Sequence, residues 1–119
     1  MTYKTYSEFV RSADEQPFEL FRARWLLLPD CESISGWSPY DLDHGAELLQ
    51  RIYNIVNQPI ADIRAAVGMS QQAFADRFAI PRRTVQNWEA RGGCPVYVRL
   101  MLQHELGLFD LPAMLGVIS

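Results

Sequence analysis

The sequence predicts an all-α protein, and three observations lead there. Apolar residues recur three and four positions apart through most of the chain, the spacing of one helix face. The runs open on Ser or Pro and close on Gly, residues that start and stop helices. At 119 residues, with 49% hydrophobic and 21% charged side chains, the chain is long enough and apolar enough to bury a core.

The elements follow in chain order. In "PFELFRARWLLL" the side chains Phe18, Phe21, Trp25 and Leu28 share helical spacing, and Pro17 suits a first-turn position. A buried strand over Trp25–Leu28 is the alternative. "PDCESISGWSP" reads as a loop. The next helix is clearer: Ser38 caps it, Pro39 takes its first position, and Asp41 sits at its positive end. Its apolar stripe is Leu42, Ala46, Leu49, Ile52, Tyr53 and Val56, and it ends near Asn57–Pro59.

Four short helices succeed it. Ile60, Ile63 and Val67 form the face of the first, which stops at Gly68. Ser70 caps a second that buries Phe74, Ala75 and Phe78, and Ile80–Pro81 makes the turn. A third, from about Arg82 to Arg91, buries Val85 and Trp88. "GGCP" breaks the chain, and Pro95 opens a fourth with Val98, Leu102 and Leu106 inward. The organisation is thus a helical extension over 1–58, of undetermined role, a compact helical domain over 59–107, and an apolar tail over 108–119 broken by Pro112 and Gly116.

The charge of −3 is unevenly spread. Residues 1–58 carry five basic groups against nine acidic ones, whereas 59–107 carry six arginines against four acids. This asymmetry suits a polyanion-binding segment beside an acidic one. Cys31 and Cys94 are far apart with no CxxC spacing, so reduced thiols are expected rather than a disulfide or zinc site. "WLLLP" is too short to cross a bilayer, and "MTYKTYSEF" lacks a signal-peptide core. A cytoplasmic protein without membrane attachment is expected.

Two short helices joined by a tight turn approach closely only where the facing residue is small, and Ala75 occupies that place. Ile80 plugs the turn while Val85 and Trp88 anchor the next helix from beneath. What remains outside on that helix is Arg82, Arg83, Gln86, Asn87 and, at its end, Arg91. The stretch "MSQQAFADRFAIPRRTVQNWEARGGCP" resembles the helix-turn-helix of the Cro and phage-repressor superfamily, the XRE family. The ordered set Ser70, Gln71, Ala75, Ile80, Thr84, Val85, Trp88 and Glu89 carries that resemblance over about residues 59–107.

The resemblance implies a lambda-repressor-like helix-turn-helix bundle in the C-terminal half, with the Arg82–Arg91 helix in the major groove of double-stranded DNA. Carried over by position, Arg82, Arg83 and Asn87 become base readers and Gln86 a secondary one. Their chemistry agrees, since arginine matches guanine and Asn or Gln matches adenine. Gln71 matches a family position that holds the DNA backbone, and Thr84 and Arg91 are further phosphate contacts. Arg64 and Glu89 fall where relatives place an ion pair linking the first helix to the reading helix. Breaking such a pair costs about 3–5 kcal/mol if buried and below about 1 kcal/mol if exposed.

Two departures from the family pattern stand out. The turn position that favours Gly is Ala79, where a left-handed backbone costs roughly 1–2 kcal/mol, so another turn shape is expected. Nearly sixty residues also precede the motif. The expected function is a sequence-specific transcriptional regulator, a repressor, acting as a homodimer on half-sites roughly 34–36 Å apart. The tail Leu108–Ile118 and the N-terminal helices are candidates for the dimer contact. An antitoxin-like or adaptor module, whose acidic N-terminal half binds a protein partner, is the alternative. No catalytic, metal or cofactor site is expected: Asp41 and Asp43 point to different helix faces, His44 and His104 are isolated, and no nucleophile motif or phosphate-cradling glycine loop occurs.

Overall fold

The computed structural model describes residues 1–118, so Ser119, the end of the expected tail, lies outside the described residues. Among them the protein is all-helical, with no strand. Eight α-helices run α1 (Tyr3–Glu15), α2 (Phe18–Trp25), α3 (Leu42–Val56), α4 (Ile60–Ala66), α5 (Gln71–Arg77), α6 (Arg82–Arg91), α7 (Val96–Glu105) and α8 (Leu111–Met114), with one 3₁₀ turn at Pro29–Ser33. No helix among the described residues is long and apolar enough to cross a membrane. The chain forms two compact units: Met1–Asn57 together with the described residues from Asp110 onward, and Gln58–Phe109.

The first unit is organised around aromatic rings. Phe9 of α1 lies 5.0 Å from both Phe21 and Trp25 of α2, and Tyr53 of α3 lies 5.5 Å from Phe21, centroid to centroid. Such tilted and edge-on pairs add to the burial of the rings themselves. The Trp25 indole N–H donates to Ser12 Oγ at 3.1 Å, and that hydroxyl donates to Gln16 Oε1 at 2.9 Å, so the one polar edge of a buried ring is satisfied. Tyr53 Oη donates to the Gln16 carbonyl at 2.8 Å, and Asn57 Nδ2 to that of Ala13 at 2.8 Å, fixing α3 on α1.

Several local expectations are corrected here. Helix α2 stops at Trp25, and Leu28 is extended and 37% exposed, because Pro29 disfavours helical backbone in the residue before it. Helix α3 begins later than Ser38 and Pro39 suggest. Asp41 is its N-cap, with Oδ1 accepting from the His44 amide at 3.0 Å, while Ser38 Oγ serves a separate turn by accepting from the Tyr40 amide. Aspartate at that position both caps the helix and opposes its positive end. Leu42 is therefore exposed, and the buried stripe runs Gly45, Leu49, Ile52, Ile55 and Val56. Gly45 is small for a reason: a Cβ there would stand 3.1 Å from the Trp37 ring.

Helix α8 and Leu115 belong to this unit. Ser33 Oγ donates to the Leu115 carbonyl at 2.7 Å, the Ser35 amide donates to Met114 O at 3.2 Å, and Leu111 and Leu115 are buried.

The second unit packs α4 to α7 around Ile60, Ile63, Phe74, Ala75, Val85, Cys94 and Leu102, with Phe78, Ile80, Trp88, Val98 and Leu106 partly buried against them. Ser70 caps α5, its Oγ accepting from the Ala73 amide at 3.1 Å. Helix α5 ends in a Schellman motif: the Ile80 amide donates to Ala75 O at 2.9 Å and the Ala79 amide to Asp76 O at 3.3 Å. Helices α4 and α7 end in the same bond pattern on Gly68 and Gly107. Ala79 nonetheless takes the left-handed conformation, φ 51°, so the expected change of turn shape does not occur. Ile80, packed into the core directly after it, holds the turn in place.

Candidate nucleic-acid interface

Helix α6 is built from a conflict between its two faces. Val85 is fully buried and Trp88 packs against the same core, which fixes the inner side. At 100° per residue, Arg82, Gln86, Arg83 and Asn87 fall within an arc of about 140° on the opposite side. All four are exposed. Among the described residues, none of these side chains, nor that of Arg91, makes a hydrogen bond or ion pair with another residue.

The electrostatics at the start of α6 are unfavourable for the isolated fold. Arg82 and Arg83 occupy the first two helical positions, no acidic residue stands in that turn, and the N-cap, Pro81, offers no side-chain acceptor. Cations at the positive end of a helix cost typically about 0.3–1 kcal/mol each. Two such arginines without a partner concentrate positive charge where backbone N–H groups already point outward.

The orientation of α6 is set by its last turn. Glu89 Oε1 accepts from Arg64 Nη2 at 2.7 Å and from Nε at 3.3 Å, while Arg64 Nη1 donates to the Met69 carbonyl at 2.9 Å. Glu89 Oε2 accepts from Gln71 Nε2 at 2.9 Å. The two charged side chains are 23% and 11% exposed, Arg64 and Glu89 respectively, so the pair is largely buried. Burial opposes ionisation of Glu89, but the hydrogen bonds from Arg64 and Gln71 and the Arg64 charge outweigh it and hold the carboxyl below the ordinary carboxylate range. One carboxylate thus ties α4, α5 and α6 together.

Compared with known proteins, the chain matches no protein-family model, no curated protein and no solved structure. The site therefore stands on its own geometry.

That geometry gathers Arg82, Arg83, Gln86 and Asn87 on one face and sets the remaining expected residues on its flanks. Gln71 lies beside the face through Glu89, at the first position of α5. Thr84, half-buried, and Arg91, exposed, fall on the opposite flank by helical angle. Sequence reasoning missed two features. The first is the Gln71–Glu89 bond, which engages one N–H of an amide expected to face outward; no sequence signal marks it, because it depends on where α5 lies against α6. The second is Ala90, exposed and at the centre of the arc by helical angle, where a small side chain leaves room for close approach. Its signal was its place one turn after Gln86. No three His, Cys, Asp or Glu side chains converge as metal ligands among the described residues.

Proposed function

We propose that the protein is a sequence-specific DNA-binding regulator of transcription, a repressor, in which α5, the Ala79 turn and α6 work as a helix-turn-helix of the Cro and phage-repressor kind. The observation that carries the reading is the pair Arg82 and Arg83: exposed, unpartnered, and placed at the helix end where positive charge is least favourable within the fold. An anionic partner turns that local cost into binding energy.

In this reading α6 enters the major groove by its N-terminal half. Arg82 and Arg83 present bidentate donors to guanine, and Asn87 and Gln86 pair with adenine. Ala90 lets the helix approach a base edge or thymine methyl. Gln71 gives its second amide N–H to a backbone phosphate while Glu89 holds the first, so the carboxylate aims the contact. Thr84 and Arg91 reach phosphates on the other flank, and backbone contacts of this kind fix register without reading sequence. Two copies on a two-fold site supply the affinity one short module lacks. A cytoplasmic location accompanies this reading.

Selection of duplexes from a random pool, followed by binding at several salt concentrations, tests it. The expected result is enrichment of one motif, with log affinity falling by about 0.9 for each phosphate contact per unit of log salt. Absence of enrichment and of any duplex preference overturns it.

A further inference from the structure

We infer that α7 is the contact through which two copies of this chain pair, antiparallel, across a two-fold axis at Met101. The inference deepens the reading above by naming the surface that would present two α6 helices together, but it rests on a different part of the molecule.

Beside α7 runs an apolar groove of about 510 Å³, floored by Phe78, Ile80, Trp88, Val98 and Leu102. Along its edge stand Tyr97 and Met101, 66% and 67% exposed, with exposed Glu105 one further turn on. Large apolar side chains at that exposure, next to a groove whose floor is also apolar, form a ridge and a slot of the same chemistry. A single surface that offers both is suited to an isologous contact, where each copy's ridge enters the other's slot.

The order of residues selects a second copy over an unrelated partner. Tyr97, Met101 and Glu105 are evenly spaced by four residues, so a two-fold axis through Met101 sets Tyr97 opposite the other copy's Glu105, twice. A phenol hydroxyl donates to a carboxylate, and each copy brings one donor and one acceptor. The parallel arrangement instead opposes Glu105 to Glu105 across the seam, which is repulsive. Only the antiparallel arrangement satisfies both ends while burying methionine at the centre.

The contact is modest in area. Helix α7 has 10 residues, a length of about 15 Å, which keeps the buried surface below about 1,200 Å² and makes the pairing a weak one.

Met101→Cys tests the geometry directly. The native thiols, Cys31 and Cys94, are buried and stay silent, so oxidised glutathione should link two copies through the introduced cysteines alone. The expected result is dimer formation at least about tenfold faster than for Gln72→Cys, an exposed site on α5, because proximity raises effective concentration. Wild-type protein should show concentration-dependent dimerisation by sedimentation, and Met101→Asp and Glu105→Lys should each weaken it by about tenfold or more, with the melting temperature unchanged at dilutions where all three proteins are monomeric. Equal crosslinking of the two cysteine variants, or a wild-type protein that stays monomeric, overturns the inference. A dimer that selects no duplex keeps it and removes the DNA reading. A monomer that selects a duplex does the reverse.

Discussion

Glu89 and Arg64 are 25 residues apart in sequence and 2.7 Å apart in space, and their ion pair joins the end of α6 to α4. Because both side chains are largely buried, removing one leaves the other charge poorly solvated. Arg64→Ala should therefore destabilise the protein by about 3 kcal/mol, the lower edge of the range for breaking a buried pair. In a double-mutant cycle with Glu89→Ala, denaturant melts should give a coupling energy above about 1 kcal/mol. Additive losses would mean that the pair acts as two independent surface charges.

Acid should act on the same contact. The folded-state pKa of Glu89 lies below its unfolded value, so the pair's contribution is complete above roughly pH 4.3 and is lost as pH falls through the folded value. Wild-type stability should drop more steeply in that window than that of Glu89→Gln. Parallel pH profiles for the two proteins would remove Glu89 from the account.

Ala79 holds a left-handed backbone at a turn where α4 and α7 use glycine. Relief of about 1–2 kcal/mol of local strain, less the added freedom of glycine in the unfolded chain, should make Ala79→Gly more stable by about 0.5–1 kcal/mol. Thermal melts of the two proteins measure this. A loss of stability would show that the Schellman bonds from Ala79 and Ile80 rest on the alanine methyl.

Base reading and backbone holding separate by variant. Arg82→Ala should cost about 1–3 kcal/mol on the selected duplex and relax preference at one base pair. Gln71→Ala should weaken binding to all duplexes alike and lower the salt slope by about 1. Uniform loss for Arg82→Ala would reassign it to phosphate.

The thiols should be quiet. Burial pushes Cys31 up to about 12, helped by the Asp30 charge, and pushes Cys94 up to about 11 despite the nearby Arg99. An aromatic disulfide reagent at neutral pH should therefore label neither cysteine in the folded protein and both in denaturant. Rapid labelling of one in native buffer would show that its unit opens locally.

Much of the second unit was legible because its signals are local. Ser70, Gly68 and Pro95 punctuate short helices, and Val85 and Trp88 fix one face of α6 by spacing alone. The first unit was harder. Helix α1 reads poorly because its buried side, Phe9, Val10, Ser12 and Ala13, mixes a hydroxyl and a small residue with two apolar ones; only the Trp25 indole explains the hydroxyl. The start of α3 was misplaced because Ser38–Pro39 and Asp41 are both plausible openings, and Asp41 is the one whose side chain accepts from a first-turn amide, that of His44. At the site, the outward residues follow from periodicity. The second partner of Glu89 does not, because it depends on where α5 lies against α6.

Asp110 and the described residues that follow it belong to the same compact unit as Met1–Asn57, so that body is closed by a segment made after the arginine-bearing bundle. On a ribosome adding about 5–20 residues per second, the α1–α3 layer waits several seconds for that closing segment while the arginine-bearing bundle is made. The early helices, with Phe21 and Trp25 at their centre, are therefore the part most in need of shelter during synthesis.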